Sequence, residues 1–355
     1  MKIPYKFSAK DLISLVYVNP WVGLAVSILI SPFKTKLSIE VIAIAIFSFV
    51  FSCFAVFYNN NFDSFINWLL IITLLIFNFN HLNCFNTKIP SMLIADIYIF
   101  IGTIIMLYVV YNSGSNITSR YGLYGGEPNF TGFVFLSYLL IYLQRGFSKA
   151  FGIYLFILFI SILVSTVSRT FLLSSVLLGF FYFFRNKNFL ITFTFILFAS
   201  AVFFGSNIMS FIEQMQIFES SGYSEDLSRL LSISDSSSQL RLELQDIWYA
   251  EVITSYKNIF YGMPLSEYNF LNDSELIVHN SFIQKTAEYG IVYIIFFIIL
   301  SFKYLPLWIT YSFFTYALFL HAILSIPWVI AISLLATAPK KIRFQNIKKT
   351  DFIKV

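Results

Sequence analysis

An all-α, polytopic membrane protein of about ten to twelve transmembrane helices is the fold class this sequence predicts, and three observations predict it. Hydrophobic residues make up 58% of the 355-residue chain and charged residues 12%, about half the charged share of a soluble domain. Apolar runs follow one another almost end to end, and many approach the ~20 residues that cross a ~30 Å hydrocarbon core as a helix. Acidic residues, by contrast, are gathered in one place. Residues 206–280 hold 11 of the 18 Asp and Glu but only three of the 23 Lys and Arg (Arg229, Arg241 and Lys257), so that segment is net −8 while the rest is +13.

The runs fall at about 12–30, 37–58, 64–81, 91–111, 128–144, 150–166, 170–184, 188–205, 281–301, 304–320 and 322–338. The first is interrupted by Asn19-Pro20, which reads either as a short re-entrant pair or as a surface helix. No cleavable-signal pattern precedes it, so this segment is expected to direct insertion itself. Lysine and arginine orient the rest: "QRGFSK" (144–149), "RNKN" (185–188), "FKY" (302–304) and the tail "KKIRFQNIKK" (340–349) belong on the cytoplasmic side. The loops near 112–127, 166–170 and 206–280 then lie outside. Eleven crossings would leave Lys2, Lys6 and Lys10 on the wrong side, which keeps the span count open. The chain thus divides into N-terminal membrane helices (1–205), a large outer loop (206–280), C-terminal membrane helices (281–338) and a basic tail (339–355). The basic residues fit cytoplasmic loops and imply no nucleic acid.

Within the outer loop, "SSSQLRLELQDIWYAEVI" (236–253) has helical spacing. Leu240, Leu244, Ile247 and Trp248 form its apolar stripe, and Arg241 shares a face with Leu244 and Trp248. Cys53 and Cys84 are the only cysteines; they support no disulfide framework, and Cys53 reads as a small core residue.

Chemistry is expected on the outer side. Four of the seven arginines, Arg120, Arg169, Arg229 and Arg241, fall there, against the usual bias. Arg169, in "STVSRTFLL", either snorkels to the surface or faces a cavity that takes an anion, since a guanidinium grips phosphate bidentately. "SRYGLYGGEPNFTGF" (119–133) is either a surface turn or an anion cradle made by Arg120, flexible glycines and a helix that starts at Pro128. Only three histidines occur. His279, in "VHNSFIQKTAEYG", precedes a long apolar helix whose Ser281 and Gln284 have capping-box spacing. It is either an interfacial cap residue or a neutral imidazole able to act as a base. Asp96, alone in an apolar run, is a functional candidate without a role. No metal-ligand pattern is present, and no cofactor is expected.

In order, "GGEPN", "TVSRT", "LRLELQDIW", the "YGMP" turn, "HNSFIQKTAEYGI" and "SIPWVI" resemble the O-antigen polymerase and O-antigen ligase superfamily of bacterial envelopes, over about residues 112–335. The resemblance implies an all-helical fold like that of the GT-C glycosyltransferases. It also implies a metal-independent enzyme of the inner membrane with its active site facing the periplasm. The donor would be a glycan on undecaprenyl diphosphate. The acceptor would be a second lipid-linked repeat unit for a polymerase, or lipid A-core for a ligase. By motif, Arg169 and Arg241, assisted by Arg120, would hold the diphosphate. His279 would activate the acceptor hydroxyl, with Glu127 as a second base candidate, and Trp248 and Asn280 would contact sugar. A chain-length regulator and a flippase are the expected protein partners. The short chain and loop favour the polymerase reading over the ligase. A flippase for the same lipid is the rival of a different class, and charge spread over several helices would favour it.

Overall fold

The computed structural model describes residues 9–29, 39–59, 91–112, 120–203, 236–264, 280–320 and 335. Every regular element among them is helical. A 3₁₀ helix (Ala9–Tyr17) is followed by α1 (Pro20–Leu29), α2 (Ile39–Asn59), α3 (Leu93–Asn112), α4 (Pro128–Arg145), α5 (Lys149–Thr166), α6 (Arg169–Phe183), α7 (Asn188–Phe203), α8 (Ser236–Ile253), α9 (Tyr256–Tyr261), α10 (Ser281–Tyr289), α11 (Ile291–Tyr304) and α12 (Leu307–Ala317). The expected span at 64–81, all of the expected span at 322–338 but Leu335, and residues 206–235 and 265–279 of the expected outer loop lie outside the described residues.

Local chemistry sets most boundaries. Asn19 Oδ1 accepts from the amides of Trp21 and Val22, and Pro20 stands at the first helical position of α1. The first expected run is therefore two short helices, packed so closely that a Cβ on Gly23 would sit 2.6 Å from the Val16 backbone. Pro128 opens α4 and Gly146, at φ 80°, closes it. Ser148 and Ser168 cap α5 and α6 through the amides of Phe151 and Phe171. Between α5 and α6 stand only Val167 and Ser168. Val167 is left-handed (φ 44°, ψ 45°), a conformation that costs a β-branched residue about 1–2 kcal/mol.

α12 is the central helix. Residues Trp308 to Ala317 are all buried, and α12 packs against α4, α6, α7 and α11. Aromatic pairs join these layers: Phe133 meets Phe313 and Tyr316, Phe195 stacks on Tyr311, and Phe282 meets Phe314. The outward flanks are apolar. α3 and α5 are long and apolar enough to cross a membrane, and 28% of each is buried within the protein. Cys53 lies exposed on the surface of α2, not in a core.

One expected span is broken. The apolar run 281–301 is not a single helix, because α10 ends at Gly290 (φ 85°) and α11 starts anew. A Cβ at Gly290 would lie 2.0 Å from the Phe260 carbonyl oxygen, so only glycine fits at the break, where α9 comes close. α10 instead packs with α8 and α9, where Trp248, Val252, Met263, Ile283 and Ala287 make a second small core. The Met263 amide donates to the Ala287 carbonyl at 2.7 Å, fixing the "YGMP" turn to α10.

Candidate functional site

The Gly-rich segment and the α5–α6 turn, 46 residues apart, are fastened into one structure. Arg120 Nε donates to the Thr166 carbonyl and Nη2 to Asn129 Oδ1, each at 3.0 Å. The Tyr121 amide donates to the Ser165 carbonyl at 3.1 Å. Ser168 Oγ donates to the same Asn129 oxygen at 2.8 Å, while accepting from Phe171 N. Asn129 Nδ2 in turn donates to Glu127 Oε1 at 2.9 Å. Thr131 Oγ1 accepts the Leu123 amide at 2.8 Å and completes the fold of the loop. Leu123 and Tyr124 press on the flank of α3, where Gly102 leaves room for them, and the Tyr124 ring stacks on Tyr98.

These bonds bring two helix N-termini together. Asn129 is the second residue of α4 and Ser168 is the cap of α6, so both positive helix ends face one place. Arg120 is half-buried there, and Arg169, the first residue of α6, is half-buried beside Ser168. Glu127 is exposed at the same end. Arginines beside two joined helix starts are of the chemical type that grips a phosphate or diphosphate.

Asn280, a described member of the second group of expected residues, is tied to the same end of the bundle. The last turn of α12 connects them: a Cβ on Gly132 of α4 would touch both Phe171 and the Tyr316 hydroxyl, and Ser281 Oγ donates to the Leu320 carbonyl just past α12. Asn280, 0% exposed, caps α10 by accepting from the amides of Phe282 and Ile283. Its Nδ2 donates to Gln245 of α8 at 3.3 Å, and Gln245 reaches the Val202 carbonyl at the end of α7. The capping-box reading therefore shifts by one residue. Asn280 is the cap, and Ser281 is taken by a carbonyl 39 residues away. Lys285 and Glu288 pair on α10 as their spacing predicts.

Two expected sugar contacts are enclosed. Trp248 is 1% exposed and packed in the second core, so it presents no ring face to a sugar. The Asn280 amide is buried and engaged at both ends. On α8 Leu244 is buried as expected, but Ile247 points outward. Arg241 falls on α8 one turn before Gln245, and its side chain lies outside the described residues, as does the whole of His279. Asp96 belongs elsewhere: its Oδ1 accepts from the hydroxyls of Tyr138 and Tyr142, each at 2.6 Å, toward the opposite end of α4.

Sequence reasoning passed over Asn129, Ser168 and Gln245. The "PN" of "GGEPN" was visible as a helix start, but the residues that Asn129 joins, Arg120 and Ser168, lie 9 and 39 residues away in the chain. Among the described residues no three His, Cys, Asp or Glu side chains converge on one point. Set against protein-family models, curated proteins and solved structures, the chain matches none.

Proposed function

We propose that this chain is a polysaccharide polymerase of a bacterial inner membrane, working at the periplasmic face. It transfers a growing glycan from undecaprenyl diphosphate onto a lipid-linked repeat unit during O-antigen or capsule synthesis. The observation that carries the reading is the joining of the α4 and α6 N-termini around Asn129 and Ser168, with Arg120 and Arg169 beside them.

The chemistry follows from that arrangement. The bond from the sugar anomeric carbon to the diphosphate oxygen breaks, and its electron pair leaves with undecaprenyl diphosphate. The acceptor hydroxyl oxygen forms the new bond to the same carbon, and its proton passes to His279, with Glu127 the second candidate. Negative charge grows on the diphosphate as the bond breaks. Arginines already held in place stabilise that charge more in the transition state than in the ground state. Arg241, on α8, is the third cation of the proposed site.

The membrane topology is part of the proposal. The apolar flanks of α3 and α5 support it: Phe100, Ile104, Phe156 and Ile157 are all exposed on the protein surface and suit a lipid boundary. α1 has 10 residues, or about 15 Å at 1.5 Å per residue, half of a ~30 Å hydrocarbon core. This length and the pairing of the 3₁₀ helix with α1 support reading the two as a re-entrant hairpin that enters and leaves on one side. Lys10, at the start of that pair, would then lie on the cytoplasmic side, in keeping with the positive-inside rule.

The test is reconstitution of the purified chain with undecaprenyl-diphosphate-linked repeat unit. A ladder of longer lipid-linked glycans is expected, unchanged by chelator. Arg120→Ala and Arg169→Ala should each lower its rate by about 10²–10³-fold, the usual effect of removing a group that stabilises developing charge. Transfer seen only after lipid A-core is added would mean a ligase. Movement of the lipid-linked unit between leaflets without any new bond would overturn the enzymatic reading.

A further inference from the structure

The Asn129 side chain touches Arg120, the α6 cap Ser168 and Glu127. It is 3% exposed, and its amide orientation is dictated by its neighbours. Arg120 can only donate. Ser168 Oγ already accepts from Phe171 N, so its proton is directed at Asn129. Both donors therefore require the amide oxygen, and the NH₂ end is left for the Glu127 carboxylate. The amide thus stands between a cation and an anion that are seven residues apart. It takes the guanidinium on one end and the carboxylate on the other.

We propose that Asn129 is a positioning residue of the diphosphate site: it locks the Arg120 guanidinium to the α5–α6 turn and holds the Glu127 carboxylate one amide away from it. This rests on the diphosphate reading of the site. An amide fixes a guanidinium by a hydrogen bond without cancelling its charge. A carboxylate in the same place would make a charge-assisted pair and compete with phosphate for the same donors.

The test moves the carboxylate while conserving charge. The double change Asn129→Asp with Glu127→Gln keeps the net charge, the approximate volumes and a donor–acceptor contact between the two positions, but sets the negative charge directly on Arg120. The readout is titration of the full-length protein with undecaprenyl diphosphate, carrying no sugar, by native mass spectrometry, alongside the thermal unfolding midpoint. Wild type should bind saturably. The double variant should bind at least tenfold more weakly with an unfolding midpoint close to wild type, and this loss should appear in reconstitution as a raised donor KM. Binding equal to wild type in the folded double variant overturns the proposal while leaving the site reading intact. Absence of saturable binding in wild type overturns the site reading, and the role of Asn129 with it. Should the double change prevent folding, Asn129→Ser removes the bridging amide without adding charge, and the same tenfold criterion decides.

Discussion

Ser168→Ala is the sharpest single perturbation of the joined helix ends. The hydroxyl is fully buried and makes two bonds: it accepts from the Phe171 amide as the α6 cap at 3.1 Å, and donates to Asn129 Oδ1 at 2.8 Å. Losing the cap costs about 1 kcal/mol. Losing the bond between helices costs about 1 kcal/mol more. The sum, about 2 kcal/mol, is roughly a 30-fold shift in the folded-to-unfolded ratio. Ser175→Ala is the matched control. Ser175 Oγ donates only to the Phe171 carbonyl of its own helix, a bond that adds little to helix stability, so its loss should stay within about 0.5 kcal/mol. Both variants would be compared with wild type by reversible denaturant titration in mixed micelles, and by donor KM in the reconstituted reaction. Ser168→Ala should lose stability and raise KM, while Ser175→Ala should do neither. Equal behaviour of the two would refute the reasoning that Ser168 ties α6 to the Gly-rich segment.

Other outcomes follow from the same geometry. Gly290→Ala and Gly146→Ala both place a Cβ at positive φ, but only Gly290 meets backbone there, at 2.0 Å from the Phe260 oxygen, whereas Gly146 faces open space. Gly146→Ala should cost about 1–2 kcal/mol, and Gly290→Ala clearly more, with new protease sensitivity at α9–α10. Trp248→Ala should destabilise the second core by about 3–5 kcal/mol, so a stability loss is expected before any change in sugar selectivity. Asn280→Ala removes two capping bonds and the Gln245 contact; about 1–2 kcal/mol of loss is expected, read in the same micelle titration. Arg120→Lys keeps the charge but not the planar fork that spans Thr166 and Asn129, so reconstituted activity should fall well below wild type.

Helix positions were legible wherever the deciding chemistry is local. Pro128, Asn19-Pro20 and the amphipathic period of 236–253 each mark a boundary with residues only a few positions apart, and α4, α1 and α8 begin where these signals stand. The break at Gly290 was not legible inside the apolar run, and the contact that requires glycine there, the Phe260 carbonyl, lies 30 residues earlier. The same holds for the capping of α10. Asn280 and Ser281 are both good caps, and only the distant Leu320 carbonyl decides between them. In the site, the arginines were visible as charges beside apolar runs. The residues that join them, Asn129 and Ser168, were not, since an ordinary asparagine and serine gain their meaning from tertiary partners. Periodicity put Trp248 on the buried stripe of α8 but could not show that α10 seals it.

The most direct test of the central claim is a structure of the protein with undecaprenyl diphosphate bound. The diphosphate oxygens should lie within about 3 Å of the guanidinium nitrogens of Arg120 and Arg169, at the joined starts of α4 and α6. A diphosphate found instead at the opposite end of the bundle, near Arg145 and Asp96, would contradict the account.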